Sequence, residues 1–184
     1  MNRRLVTLVA AAVFALVAPL TLNAQSIYIS GGATFPTGDF GDFSNTGWMG
    51  AGGVLFDVGP VGLSVGAEGF YGQNNTKDEF ESEFGDTSTK LYGGMGIVVY
   101  SFQTGGKIQP YVFGGAGLMA HKFSGDSFDE TESAFGYQAG AGIGYPVSEK
   151  ASIYGEGRYM GGTGDLDETK LFGIFAGVVI ALGS

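Results

Sequence analysis

The chain has 184 residues, enough for one domain with a true core, and a net charge of −9, which argues against nucleic acid as a partner. It holds no cysteine, which excludes disulfides, thiolate metal sites and cysteine nucleophiles. Glycine accounts for 35 of the 184 residues, against a usual share of about 7%, and follows no collagen-like period.

The chain opens with a leader pattern. Arg3 and Arg4 give a basic start, Leu5 to Ala18 is apolar apart from Thr7, and Pro19 begins a short segment ending at Ala24. This reads as a signal peptide over residues 1–24, cut after Ala24 within a few residues, with the mature domain over 25–184. The apolar run is short for the ~20 residues of a spanning helix. Loss of Arg3 and Arg4 with the leader makes the net charge more negative by two units.

After the leader, helical periodicity gives way to period-2 alternation. Eight runs follow in order: 26–36, 47–58, 61–72, 90–102, 108–123, 134–147, 151–161 and 171–182. In the third run Val61, Leu63, Val65, Ala67 and Tyr71 share one face, and Ser64 and Glu68 the other. The sixth sets Phe135, Tyr137, Ala139, Ala141, Ile143 and Tyr145 against glycines and Gln138. In the seventh, Ile153 and Tyr159 oppose Ser152, Tyr154, Glu156 and Arg158. If Pro110 points out, Gln109, Tyr111, Met119 and His121 of the fifth run point in. The second run gives no phase, nor does the fourth, which is apolar on both faces.

Links after the second, fourth and sixth runs are short: Gly59-Pro60, 103–107 and 148–150. Those after the others are longer: 37–46, 73–89, 124–133 and 162–170. These long links carry most of the 18 acidic residues. Strands of about 9–11 residues in even number, with short turns on one side and long loops on the other, predict a transmembrane β-barrel. Closure follows, because hydrocarbon offers no partner to a free strand edge. The expected fold is all-β: an eight-stranded antiparallel up-and-down barrel, with greasy side chains facing lipid and ionic ones facing the lumen. Such a lumen is just wide enough to fill with side chains. Glu68, Gln138, Glu156, Arg158 and His121 are therefore expected inside, as a hydrogen-bonded plug, since a lone buried charge costs several kcal/mol. Lumen-side glycines would make room for Arg158 and the tyrosines. Aromatic residues near the run ends, Trp48, Tyr71, Tyr100, Tyr145, Tyr159 and Phe172 among them, fit interfacial girdles.

At PYVFGGAGL (110–118) and GYPVSEKASIYGEGRY (144–159) the sequence resembles the OmpA/OmpX-like outer-membrane β-barrel family. The resemblance spans about residues 26–182, and its most specific unit is Glu156-Gly157-Arg158-Tyr159. It implies residence in outer-membrane lipid and a lumenal Arg–Glu pair made by Arg158 with Glu156 or Glu68. It also implies insertion by the barrel-assembly machinery, which reads an aromatic C-terminus. Here Gly177, Ile180 and Leu182 form a weakened version of that signal, and Gly183-Ser184 follow.

No catalytic residues stand out. His121 is the only histidine, and no G-x-S-x-G elbow is present. Asp39, Asp42, Asp126, Asp129, Glu130, Asp165 and Asp167 are candidate loop cation sites, though none follows the EF-hand pattern and solvated loops are the default. Phe80, Phe84, Phe128 and Leu166, apolar among these acids, either pack together or mark a binding surface. The expectation is a monomeric, non-enzymatic barrel without cofactor, acting in envelope integrity, adhesion or extracellular binding through acidic loops. A secreted lipocalin-like barrel for an apolar ligand, or a barrel enzyme acting on lipid, are the competing readings.

Overall fold

The computed structural model describes residues 25–58, 61–75, 88–125 and 128–182. Eight strands form a closed barrel in chain order, every neighbouring pair antiparallel. They are β1 Gln25–Thr37, β2 Gly47–Asp57, β3 Leu63–Asn75, β4 Ser88–Ser101, β5 Gln109–Gly125, β6 Phe128–Pro146, β7 Ala151–Gly162 and β8 Lys170–Ala181. Closure is made by β1 against β8, from Ser26↔Ala181 to Thr37↔Lys170. The sheet has no free edge, as a spanning sheet requires. No helix among the described residues is long and apolar enough to cross a membrane.

Alternation is visible in burial. On β7, Tyr154, Glu156, Arg158 and Met160 are buried, while Ile153 and Tyr159 are exposed. Outward-facing Ile29, Ile143 and Ile174 are 69%, 57% and 57% exposed, a pattern that water would penalise and acyl chains welcome. Glu68, Gln138, Glu156 and Arg158 lie inside, the reverse of a lipocalin-like interior. The two unphased strands settle in the same way. Met49, Ala51 and Leu55 of β2 point in with Leu91, Met95 and Ile97 of β4, and Trp48, Tyr92 and Val98 point out. Outward aromatics gather at both ends: Phe35, Trp48, Tyr71, Tyr92, Tyr159 and Phe172 toward the long links, Tyr100 and Tyr145 toward the short turns.

The long-link end departs from expectation. Of the acidic stretch 124–133, residues 124–125 and 128–133 are strand and not loop. The β5–β6 ladder runs through it, from His121↔Glu132 to Gly125↔Phe128. A strand that continues past a membrane has water on both faces, so it keeps a loop's composition. Residues 38–43 also differ, since Asp39–Phe43 forms a short helix, α1. A 3-10 turn follows β7 at Gly164–Leu166. Phe40 and Leu166 are buried, so the two turns fold apolar side chains over the barrel end. Phe80 and Phe84 lie outside the described residues, and of Phe128 only the backbone is described.

Glycine explains how so narrow a cylinder is filled. Five interior rings each lie beside a glycine that is the ring's own register partner on the next strand: Tyr28–Gly53, Phe70–Gly93, Tyr111–Gly142, Phe113–Gly140 and Tyr154–Gly177. A Cβ on any of these glycines would lie 2.5–2.9 Å from ring atoms, a collision. The ring covers the strand that glycine leaves bare, as aromatic rescue predicts.

Candidate functional site

The interior divides by height. Beside the cluster and toward the long links it is apolar, with Met49, Phe70, Leu91, Met95, Met119, Met160, Leu171 and Phe175 buried together. At the long-link rim it is polar again: Thr34, Asn74, Thr89 and Thr169 are buried, and Asn74 Nδ2 donates to Thr34 Oγ1 at 3.2 Å. Toward the short turns it is ionic, and Arg158 sits at its centre.

The ionic cluster has a repeated plan. In one register row Tyr28 on β1 faces Gly53 on β2, which faces Glu68 on β3. In another Tyr111 on β5 faces Gly142 on β6, which faces Glu156 on β7. In both, the tyrosine reaches over the glycine to the carboxylate. Tyr28 donates its hydroxyl to Glu68 Oε2 at 2.8 Å, and Tyr111 donates to Glu156 Oε2 at 2.7 Å. The two units are four strands apart, on opposite walls, and Arg158 joins them.

Arg158 is 2% exposed, and its guanidinium is saturated. Nη1 donates to Glu68 Oε1 at 2.7 Å and to Gln138 Oε1 at 3.0 Å. Nη2 donates to Glu68 Oε2 at 3.1 Å and to Glu156 Oε1 at 2.5 Å, and Nε donates to Glu156 Oε1 at 3.1 Å. A guanidinium offers five N–H groups, and all five are used. Gln138 returns Nε2 to Glu68 Oε1 at 2.9 Å. The rings of Phe113 and Phe175 lie 5.2 and 4.8 Å from the guanidinium carbon, within cation–π range. Gly140 and Gly173, the register partners of Arg158 on either side, lie beneath the rings of Phe113 and Phe175, the two rings that flank the guanidinium. A lysine, with three donors on a single nitrogen, has no such fork.

Below the cluster lies a cavity of about 220 Å3, lined by Ser26, Ser64, Ser101, Gln109 and Ser152, by the apolar Leu55, Ile97, Val99 and Val179, and by the cluster itself. It lies at the short-turn end of the strands.

The sequence-derived site residues are distributed as follows. Glu68, Gln138, Glu156 and Arg158 come together. His121 does not join them. It is inward-facing but near the opposite end of its strand, 3.4 Å from the Thr169 hydroxyl and edge-on to Phe40 at 5.9 Å. Alternation gave its face correctly and said nothing of its height. Tyr28 and Tyr111, cluster members that polarity alone passed over, were recoverable from the Tyr–Gly–Glu rows once strand register was known.

Of the candidate cation residues, Asp39 and Asp42 lie in the single turn of α1, and Asp167 follows the 3-10 turn. Asp126 lies outside the described residues, and of Asp129, Glu130 and Asp165 only the backbone is described. Among the described residues no group of three or more His, Asp or Glu is placed to hold a metal ion.

Comparisons with known proteins agree with this geometry. A family model described as the outer membrane protein beta-barrel domain matches residues 6–178. No curated protein matches the chain. Among solved structures, Neisserial surface protein A (NspA) is 16% identical, covering 86% of this chain and 96% of its own, with a TM-score of 0.67. Ail, the attachment invasion locus protein of Yersinia pestis, is 19% identical over 87% of this chain and 99% of its own, with a TM-score of 0.53. OprG of Pseudomonas aeruginosa is 15% identical over 88% and 98%, with a TM-score of 0.54. Identities this low carry the fold and nothing finer.

Proposed function

This chain belongs to the outer membrane protein β-barrel domain family and resides in the outer membrane, and from that premise we propose a non-catalytic surface protein with a sealed lumen. Residues 1–24 act as the leader, and N-terminal sequencing of the membrane-extracted protein checks the cut. Glu68, Gln138, Glu156 and Arg158, extended by Tyr28 and Tyr111, act as the seal. The barrel is a monomer, inserted by the barrel-assembly machinery.

The observation that carries this reading is the saturation of Arg158. All five of its donors are taken by three side chains, and methionines pack the space beyond it. A pore needs a polar path. Here the ionic half ends against an apolar one.

The outward role then belongs to the long links. Their acidic character selects basic surfaces, by charge complementarity. Ail has been solved with the heparin analogue sucrose octasulfate, a polyanion. The acidic links of this chain disfavour a ligand of that sign, so adhesion here would use cationic partners.

The test of the seal is conductance in planar bilayers. The native barrel should pass almost no current, and Arg158→Ala should open measurable channels. Equal, negligible currents together with an unchanged thermal transition would dismiss the sealed-lumen reading.

A further inference from the structure

The charges of the ionic cluster do not cancel. Glu68 accepts hydrogen bonds from Arg158, Gln138 and Tyr28, two at each oxygen, as an ionised carboxylate does. Glu156 accepts two from Arg158 at Oε1 and one from Tyr111 at Oε2. Arg158 supplies the positive charge. The strand lysines stand outside: Lys90 and Lys122 share the outward row of Trp48, and Lys170 alternates with buried Leu171. With both carboxylates ionised the set carries one net negative charge, and Glu156 Oε2 keeps an acceptor position. A net charge held out of water is costly unless it meets a counterion.

The cavity of about 220 Å3 lies against this set. Its rim is made by strand-end residues, Ser26, Ser64, Ser101, Gln109 and Ser152, on the side of the short turns and so of the periplasm. One flank is aliphatic, from Leu55, Val99 and Val179. Its inner end holds Glu156 and the rings of Tyr28, Tyr111 and Tyr154, and aromatic faces attract cations. Tyr154 adds an independent sign. Its hydroxyl and that of Ser30 are buried and find no hydrogen-bond partner beyond each other. Two hydroxyls that share one bond still leave a proton and several lone pairs unspent.

We propose that this cavity binds a short aliphatic primary amine, as its ammonium ion, from the periplasm. The ammonium meets Glu156 and the Tyr154 hydroxyl beside the tyrosine rings, and the alkyl body lies on Leu55, Val99 and Val179. An ammonium brings three donors to these acceptors. A metal ion fits less well, since among the described residues no group of three His, Asp or Glu is placed to hold one and the flank suits carbon rather than a water shell. A carboxylate ligand is refused, because every donor of Arg158 is already taken. The pocket rests on the sealed lumen for its closed inner end. A current through the native barrel would undo the seal, whereas the measurements below address the pocket itself.

The native barrel in phosphatidylcholine nanodiscs is titrated with n-butylamine, n-butanol and butyrate at neutral pH, and the backbone amide resonances of Ser64, Ser152 and Tyr154 are followed by NMR. Butylammonium should shift them saturably and bind about tenfold more tightly than butanol, because a hydrogen bond to an ionised carboxylate is about twice as strong as a neutral one. Butyrate should leave them in place. Glu156→Gln, which cancels the net charge, should reduce butylammonium to the level of butanol. Val179→Phe fills the aliphatic flank without touching the cluster and should abolish the shifts from both, with heat-modifiable gel migration reporting that each variant folds. Equal responses to the three probes would overturn the proposal. So would amide shifts that ignore butylammonium but follow the uptake of one proton near neutral pH, since a proton would then occupy the place assigned to the amine.

Discussion

The two halves of the barrel interior solve one problem in opposite ways. Toward the short turns, charge is buried and saturated: one guanidinium, two carboxylates, one amide and two phenols in a closed hydrogen-bond set. Toward the long links, charge gives way to Met49, Met119 and Met160 with Leu91 and Leu171, closed at the rim by neutral polar side chains such as the Thr34–Asn74 pair. The ionic half is directional, and each group depends on a particular partner. The apolar half is adaptable, because an unbranched thioether fits irregular gaps. An interior of eight strands can therefore be closed by specific pairing or by packing, and this one uses each at a different depth.

Removing the centre of the ionic half should break that contrast most severely. Arg158→Ala strands Glu68 and Glu156 in the interior and should cost about 3–5 kcal/mol of unfolding free energy. Urea titration in lipid vesicles, followed by heat-modifiable gel migration, measures it. A loss below that of a methionine truncation would mean the guanidinium is not the organising group. Met160→Ala tests the other half by leaving a cavity among buried neighbours. Its expected cost is about 2–5 kcal/mol, toward the lower end where the flexible thioethers collapse inward. The smallest effect sharpens the contrast. Met119→Leu keeps volume in a forgiving region and should cost less than about 1.5 kcal/mol in the same titration.

The contrast also explains what could be read from the residues alone. Strands β3, β6 and β7 declared their phase because their lumenal faces hold Glu68, Gln138 and the Glu156–Arg158 pair. Strands β2 and β4 did not, because the interior they line is largely apolar: Met49 and Leu55 on one, Leu91 and Met95 on the other. Where inside and lipid are both greasy, polarity carries no direction. The extension of β5 to Gly125 and of β6 back to Phe128 was hidden for the converse reason, since a ladder standing in water needs no apolar face. His121 shows the remaining gap. Period-2 spacing fixes a side, while depth along the axis is fixed only by register with neighbouring strands. Tyr28 and Tyr111 became visible as cluster members by the same register.

The paired Tyr–Gly–Glu rows carry one last implication. The first lies wholly within β1–β3 and the second within β5–β7, so each is available to its own half of the chain. The guanidinium that joins them is 90 positions from Glu68. An open, curved sheet holds both anionic units but not the link across its middle. The clasp snaps shut only when the first and last staves meet, so its strength resists prising the hoop apart more than it hurries the staves into place.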